Sequence, residues 1–168
     1  MTSLNPENFI LKRDYWLKAD DQTLLKDCRL DFFKATGKGG QKRNKSSSAV
    51  RIIHEPTGIA VTDCSERSQH RNREIALTKL RLEIARQLRL FPPIPPSRIE
   101  VALKHREYPL WLARILDILT ENEFQIKKSA TDMQITTSKL IKLLERDLNL
   151  WQFINNKRMV LGLSPLKR

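Results

Sequence analysis

Hydrophobic positions along the 168-residue chain change period several times, and each change marks an element. Residues 5–26 read as helix. Asn5 is a suitable N-cap, Pro6 fits the first helical position and Glu7 suits the positive end of the helix dipole. Phe9, Ile10, Trp16 and Leu17 give an apolar face, extended by Leu24 and Leu25. Residues 29–35 read as a strand with Phe32 and Phe33. After a polar stretch, residues 49–54 alternate, Glu55-Pro56-Thr57-Gly58 forms a turn, and residues 59–64 return, which predicts a β-hairpin. Leu77, Leu80, Ile84 and Leu88 then step by 3, 4 and 4 along an amphipathic helix reaching about residue 90.

Four of the eight prolines fall in Pro92-Pro93-Ile94-Pro95-Pro96, a stiff extended stretch that reads as the linker at residues 92–97. Beyond it, residues 109–124 carry Leu112, Ile115, Leu116 and Leu119 on one helical face. Residues 129–134 read as a short helix, Ile135-Thr136 as a turn, and residues 138–148 as a second helix with Leu140, Leu144 and Leu148 at i+4. That arrangement resembles a helix-turn-helix, a pattern that serves a plain packing module as well as a nucleic-acid reader. Nine Lys/Arg against three acids from Lys127 to Arg168 favour the reader. The expected architecture is α+β: a small mixed domain over residues 1–91, with a β-hairpin and a long packing helix, then an all-α unit over residues 98–168.

Charge changes the picture next. Thirty-one Lys/Arg against 19 Asp/Glu leave a net +12, so a polyanion is the default partner. No apolar run approaches the roughly 18 residues of a membrane span, and the first 21 residues lack a secretory signal. Glu7, Asp14, Asp20 and Asp21 are too acidic for a transit peptide. Cys28 and Cys64 are too few for a disulfide framework, so the expected location is the cytoplasm, with reduced thiols on neighbouring sheet segments. Three histidines (His54, His70, His105) lack ligand spacing and read as strand-end, loop or solvent-facing side chains, so no metal is expected. Trp16, Trp111 and Trp151 read as packing residues, and Lys127 and Lys128 as a solvated turn.

The candidate chemistry sits at residues 36–48. Three of the five glycines are Gly37, Gly39 and Gly40, and six cations lie between Phe32 and His54 with no acid among them. No P-loop follows, and Lys42 stands where a Rossmann pattern beginning at Gly37 needs glycine. Gly39 and Gly40 can take backbone angles closed to other residues and let their N–H groups approach a crowded cleft. Gln41 adds a neutral amide that both donates and accepts. Nothing in this set titrates near neutrality, so it suits placing a water and holding an oxyanion rather than acid–base work.

Thr36-Gly37-Lys38-Gly39-Gly40-Gln41-Lys42-Arg43-Asn44-Lys45, then Ala49-Val50-Arg51-Ile52, Glu55-Pro56-Thr57-Gly58-Ile59 and Glu66-Arg67-Ser68-Gln69-His70-Arg71-Asn72 together resemble the peptidyl-tRNA hydrolase domain of bacterial class I peptide chain release factors. The resemblance spans residues 24–88. It implies that the Gly-Gly-Gln loop enters the peptidyl transferase centre of the large ribosomal subunit, where the peptidyl-tRNA ester is hydrolysed. It assigns Gly39, Gly40 and Gln41 as catalytic, with the Gln41 backbone N–H at the transition state and its side chain restricting the site to water. Gln41 is also the expected site of N5-methylation by a release-factor glutamine methyltransferase. Lys38, Lys42, Arg43, Lys45, Arg51, Arg67, Gln69 and Arg71 match positions that contact ribosomal RNA. No metal or organic cofactor is implied, and no membrane.

The chain departs from the standard pattern in two places. Arg43 stands where standard release factors usually carry valine, an extra cation against rRNA phosphate. Only about two dozen residues precede the hydrolase unit, so stop-codon reading is not expected. The chain looks like the short, codon-independent members that act on stalled ribosomes. Those end in a basic tail, whereas here a helical unit is expected, facing the small subunit or the mRNA path. Two other readings stay open: a ribosome- or RNA-binding factor without hydrolysis, and a DNA-binding regulator using residues 129–148.

Overall fold

A computed structural model describes residues 6–34 and 48–167, with side chains from residue 12 onward. The Asn5 cap and the Phe9 and Ile10 side chains lie outside the described residues. The chain divides into two compact units, Met1–Leu88 and Arg89–Arg168.

In the first unit, helix α1 (Pro6–Lys18) and α2 (Asp21–Leu25) replace the single predicted helix. The break falls at Asp20, whose extended backbone and side chain cap α2 by accepting from the Thr23 N–H at 2.8 Å. Strands β1 (Cys28–Phe33), β2 (Ala49–His54) and β3 (Ile59–Asp63) form an antiparallel sheet in the order β1-β2-β3. The β2–β3 turn contains Gly58 at φ +71°, the left-handed backbone that glycine adopts without a Cβ penalty.

Helix α3 (Gln69–Gln87) lies across β2 and β3. Val50, Ile52 and His54 from β2, and Ile59, Val61 and Asp63 from β3, are buried on one sheet face, as period-two alternation requires. Leu77, Leu80 and Ile84 of α3 are buried, and Trp16 and Leu17 of α1 complete the core. The helix stops at Gln87, short of the predicted residue 90, because Leu88 turns to extended backbone.

The second unit is helical: α4 (Tyr108–Glu121), α5 (Ile126–Asp132), α6 (Thr137–Glu145) and α7 (Leu148–Val160). Ten of the fourteen residues of α4 are buried, so it is a central helix rather than an amphipathic surface one. Asp117 is buried within it, and its Oδ1 accepts from the Leu90 N–H at 3.1 Å and Arg89 Nη1 at 3.5 Å. Trp111 donates to the Ile99 carbonyl at 3.1 Å and Arg114 to the Pro95 carbonyl at 3.0 Å, so the proline-rich stretch is tied to α4.

Helix α7 is a correction to the sequence reading, which ends its last helix at Leu148. Asp147 restarts the chain: its Oδ1 accepts from the Asn149 and Leu150 N–H groups, and its Oδ2 from the Tyr108 hydroxyl at 2.6 Å. Leu150, Trp151 and Ile154 are buried. Helix α5 begins at Ile126, earlier than predicted, which makes Lys127 and Lys128 exposed helical residues rather than a turn.

Candidate active site and nucleic-acid interface

Strands β1 and β2 bring Phe33 opposite Ala49, so the segment between them leaves from that end of the sheet. Lys38, Gly39, Gly40, Gln41, Lys42, Arg43 and Lys45 lie outside the described residues. What the structure defines is the ground this segment is rooted in.

Two buried side chains organise that ground. Asp63 ends β3, and its carboxylate accepts from the Ser65 N–H at 2.9 Å, the Ser65 hydroxyl at 2.7 Å and Lys79 Nζ at 3.3 Å. Burial by itself raises the Asp63 pKa; the Ser65 and Lys79 bonds together outweigh it and hold the carboxyl below its ordinary value. Asn72, fully buried on α3, uses all of its amide toward the adjoining chain. Its Oδ1 accepts from the Glu66 N–H at 2.8 Å, and its Nδ2 donates to the Glu66 carbonyl at 2.9 Å and the Ser48 carbonyl at 2.7 Å. Ser48 is where the Gly-Gly-Gln segment rejoins the fold.

The remaining predicted contact residues are described, and they fall in two places. Arg51 pairs in register with Asp31 and Thr62 and is exposed on the face opposite Val50 and Ile52. Arg67, Gln69 and Arg71 are exposed on the turn and first helical turn after β3. Arg51 is thus carried on the outer sheet face, apart from the turn that carries the other three. Ser68 caps α3, accepting from the Arg71 N–H at 3.3 Å. The first turn of α3 has no acidic residue, although the positive end of a helix favours acids. Arg67 and Arg71 therefore add cations to an already positive end, an arrangement that opposes helix stability and attracts anions.

Other sequence expectations are revised. His54 ends β2, one of the placements expected of the histidines, and is buried there. Its ring meets Trp16 edge-on at 4.4 Å, and Nδ1 lies 2.8 Å from the Thr57 hydroxyl. Burial pushes its pKa down to about 4, against a smaller opposing pull from Asp27. His70 and His105 are exposed. The cysteines are half-buried and not on neighbouring strands: Cys28 opens β1, Cys64 follows β3, and β2 separates them. Burial, aided by Asp27, pushes the Cys28 thiol up to about 11, which removes it as a thiolate nucleophile. Trp16, Trp111 and Trp151 are packed, as expected.

Sequence reasoning missed Asn72 as an organising residue, although it lies in the quoted motif. The available signal was an amide between Arg71 and Arg73, inside a helix, where asparagine is a poor helix former.

In the second unit, Thr136 caps α6 and Gln134, at φ +55°, turns the chain between α5 and α6. The exposed cations of this pair include Lys127, Lys128 and Lys142. Lys139 and Arg146 both engage Glu100, at 2.8 and 2.7 Å. Among the described residues, no helix is long and apolar enough to cross a membrane.

Residues 21–91 match the RF-1 domain family. Peptide chain release factor 2 of Burkholderia pseudomallei (strain 1106a) is 40% identical over 113 residues, which are 63% of this chain and 31% of that relative. The protein of the same name from Bordetella avium (strain 197N) is 38% identical over the same shares, and that from Aromatoleum aromaticum is 38% identical over 104 residues, 58% of this chain and 28% of the relative. The chain is thus similar to bacterial peptide chain release factors, and its residues 21–91 to the RF-1 domain. It spans under a third of the length of these curated relatives.

Proposed function

We propose that this protein hydrolyses the ester between a nascent peptide and tRNA on the ribosome, without reading a stop codon. The observation that carries the reading is Gly39-Gly40-Gln41 in an acid-free cationic stretch, within an RF-1 domain and between two paired strands. Gly39 and Gly40 supply backbone freedom, and the Gln41 N–H faces the oxyanion. The oxygen of a positioned water adds to the ester carbonyl carbon. The bond to the tRNA ribose oxygen then breaks, that oxygen takes a proton from the attacking water, and the peptide leaves as a carboxylic acid.

Holding the water in line contributes on the order of 7–11 kcal/mol toward the barrier, and one oxyanion donor about 3–4 kcal/mol. Lys38, Lys42, Arg43, Lys45, Arg51, Arg67 and Arg71 neutralise rRNA phosphates, and Gln69 offers a neutral amide to the same surface. Gln41 is the residue on which a release-factor glutamine methyltransferase acts. The helical unit engages the small subunit, the mRNA path or exposed rRNA. Codon independence is part of this proposal, and the work belongs to the cytoplasm.

The test is peptide release from stalled ribosomes carrying labelled peptidyl-tRNA. Gly40→Ala is expected to abolish release while ribosome binding survives, because the added Cβ restricts the backbone. Undiminished release by that variant overturns the catalytic assignment. Absence of release by the unaltered protein at saturation leaves binding alone. Messages truncated in the decoding site, extended past it, or carrying a stop codon there then separate the modes. Release confined to the stop-codon complex defeats codon independence.

A further inference from the structure

The Asn72 amide closes three hydrogen bonds in the interior, and their pattern fixes its orientation. A flipped amide would set its oxygen against two carbonyls, those of Ser48 and Glu66, and its NH2 against the Glu66 N–H. One contact is long-range: Ser48 lies 24 residues back in sequence, at the exit of the Gly-Gly-Gln segment. The other two clamp both polar groups of the Glu66 backbone, directly before exposed Arg67. No other side chain type of this size both accepts one backbone donor and donates to two backbone acceptors. Leucine would fill the space and leave three backbone groups without these partners. Aspartate would aim an anion at two carbonyl oxygens.

We infer that Asn72 is a positioning residue for peptide release: it latches the root of the Gly-Gly-Gln segment to the turn carrying Arg67 and Gln69, so that loop and contact residues are set as one unit. This rests on the proposed hydrolysis. Its effect should appear in turnover, since small misplacement of a reacting group far from the supporting residue lowers rate steeply.

Asn72→Asp keeps the shape and the bond to the Glu66 N–H but repels Ser48. The full-length protein, Asn72→Asp and a core control, Ile84→Val on the same helix, are compared for kcat and half-saturation on stalled ribosomes and for thermal midpoint. Expected is a fall in kcat of about tenfold or more for Asn72→Asp. Ile84→Val should keep at least half of the kcat despite its lost stability. A second readout is hydrogen exchange at residues 48–50, expected to quicken in Asn72→Asp while residues 76–84 stay protected. If Asn72→Asp does not fold, Asn72→Ser is judged by the same comparison, with a fall of threefold or more expected. A releasing parent protein whose Asn72 variants keep more than half of its kcat overturns the inference alone. A parent protein that never releases peptide overturns the proposed function and this inference with it.

Discussion

The two units handle buried polarity in opposite ways. In the first, Arg13, His54, Asp63 and Asn72 are all buried, and the Asn72 amide holds the backbone of Ser48 and Glu66 at the loop root. In the second, the buried polar or charged residues among those described are Asp117 and Ser129, beside the bonded Tyr108 hydroxyl and Trp111 indole, while most of α4 is apolar. Buried hydrogen-bonded groups specify position because an unpaired alternative is costly, whereas apolar packing mainly specifies compactness. The first unit is built to hold particular backbone atoms in place. The second takes most of its order from apolar packing around α4.

The strongest way to break this comparison is Leu116→Ala. Leu116 is fully buried in α4, and the loss should be about 3–5 kcal/mol. Urea unfolding of the second unit checks it; a loss under about 1 kcal/mol would mean its core is not the source of its stability.

Acid comes next. His54 is neutral when folded, with its pKa near 4 against 6.5 for a free imidazole. Between those values the unfolded chain binds a proton that the folded chain refuses. Stability therefore falls as pH drops through 6.5 and this contribution levels off near 4, with a total on the order of 3 kcal/mol. An NMR titration should place the imidazole midpoint near 4; a midpoint above 6 would remove the first unit from the comparison on this point.

Asp117→Ala sharpens the other side. It strips the buried Leu90 N–H of its acceptor, a loss of about 1–3 kcal/mol read from the same urea curves. The smallest effect belongs to Glu100→Gln. Its partners Lys139 and Arg146 are solvent-accessible, so the thermal midpoint should stay unchanged within error. Retention on an immobilised polyanion should shift to higher salt, as Lys139 of α6 and Arg146 just after it are released. A clear drop in the midpoint would show that the surface, too, is held by specific pairing.

Much of the fold was readable from local rules. The hairpin followed from alternation and from the Pro-Thr-Gly turn, and α3 and α4 followed from their leucine and isoleucine spacing. The Gly-Gly-Gln motif and its flanking segments were readable for a similar reason: their chemistry resides in residue type and order. Helix ends were less legible. Asp20 and Asp147 each stop one helix and cap the next, and an aspartate shows that choice only when its side chain meets the N–H groups ahead of it.

What the amino-acid order determined by itself was the succession of elements, the surplus of positive charge and the triplet Gly39-Gly40-Gln41, because each depends on near neighbours along the chain. Only the tertiary structure decided that His54 is buried against Trp16, that β2 separates the two cysteines, and that Asn72 reaches back to Ser48. Those outcomes depend on which distant segments share an interior. There a polar group's partner is chosen by the folded geometry rather than by its place in the sequence.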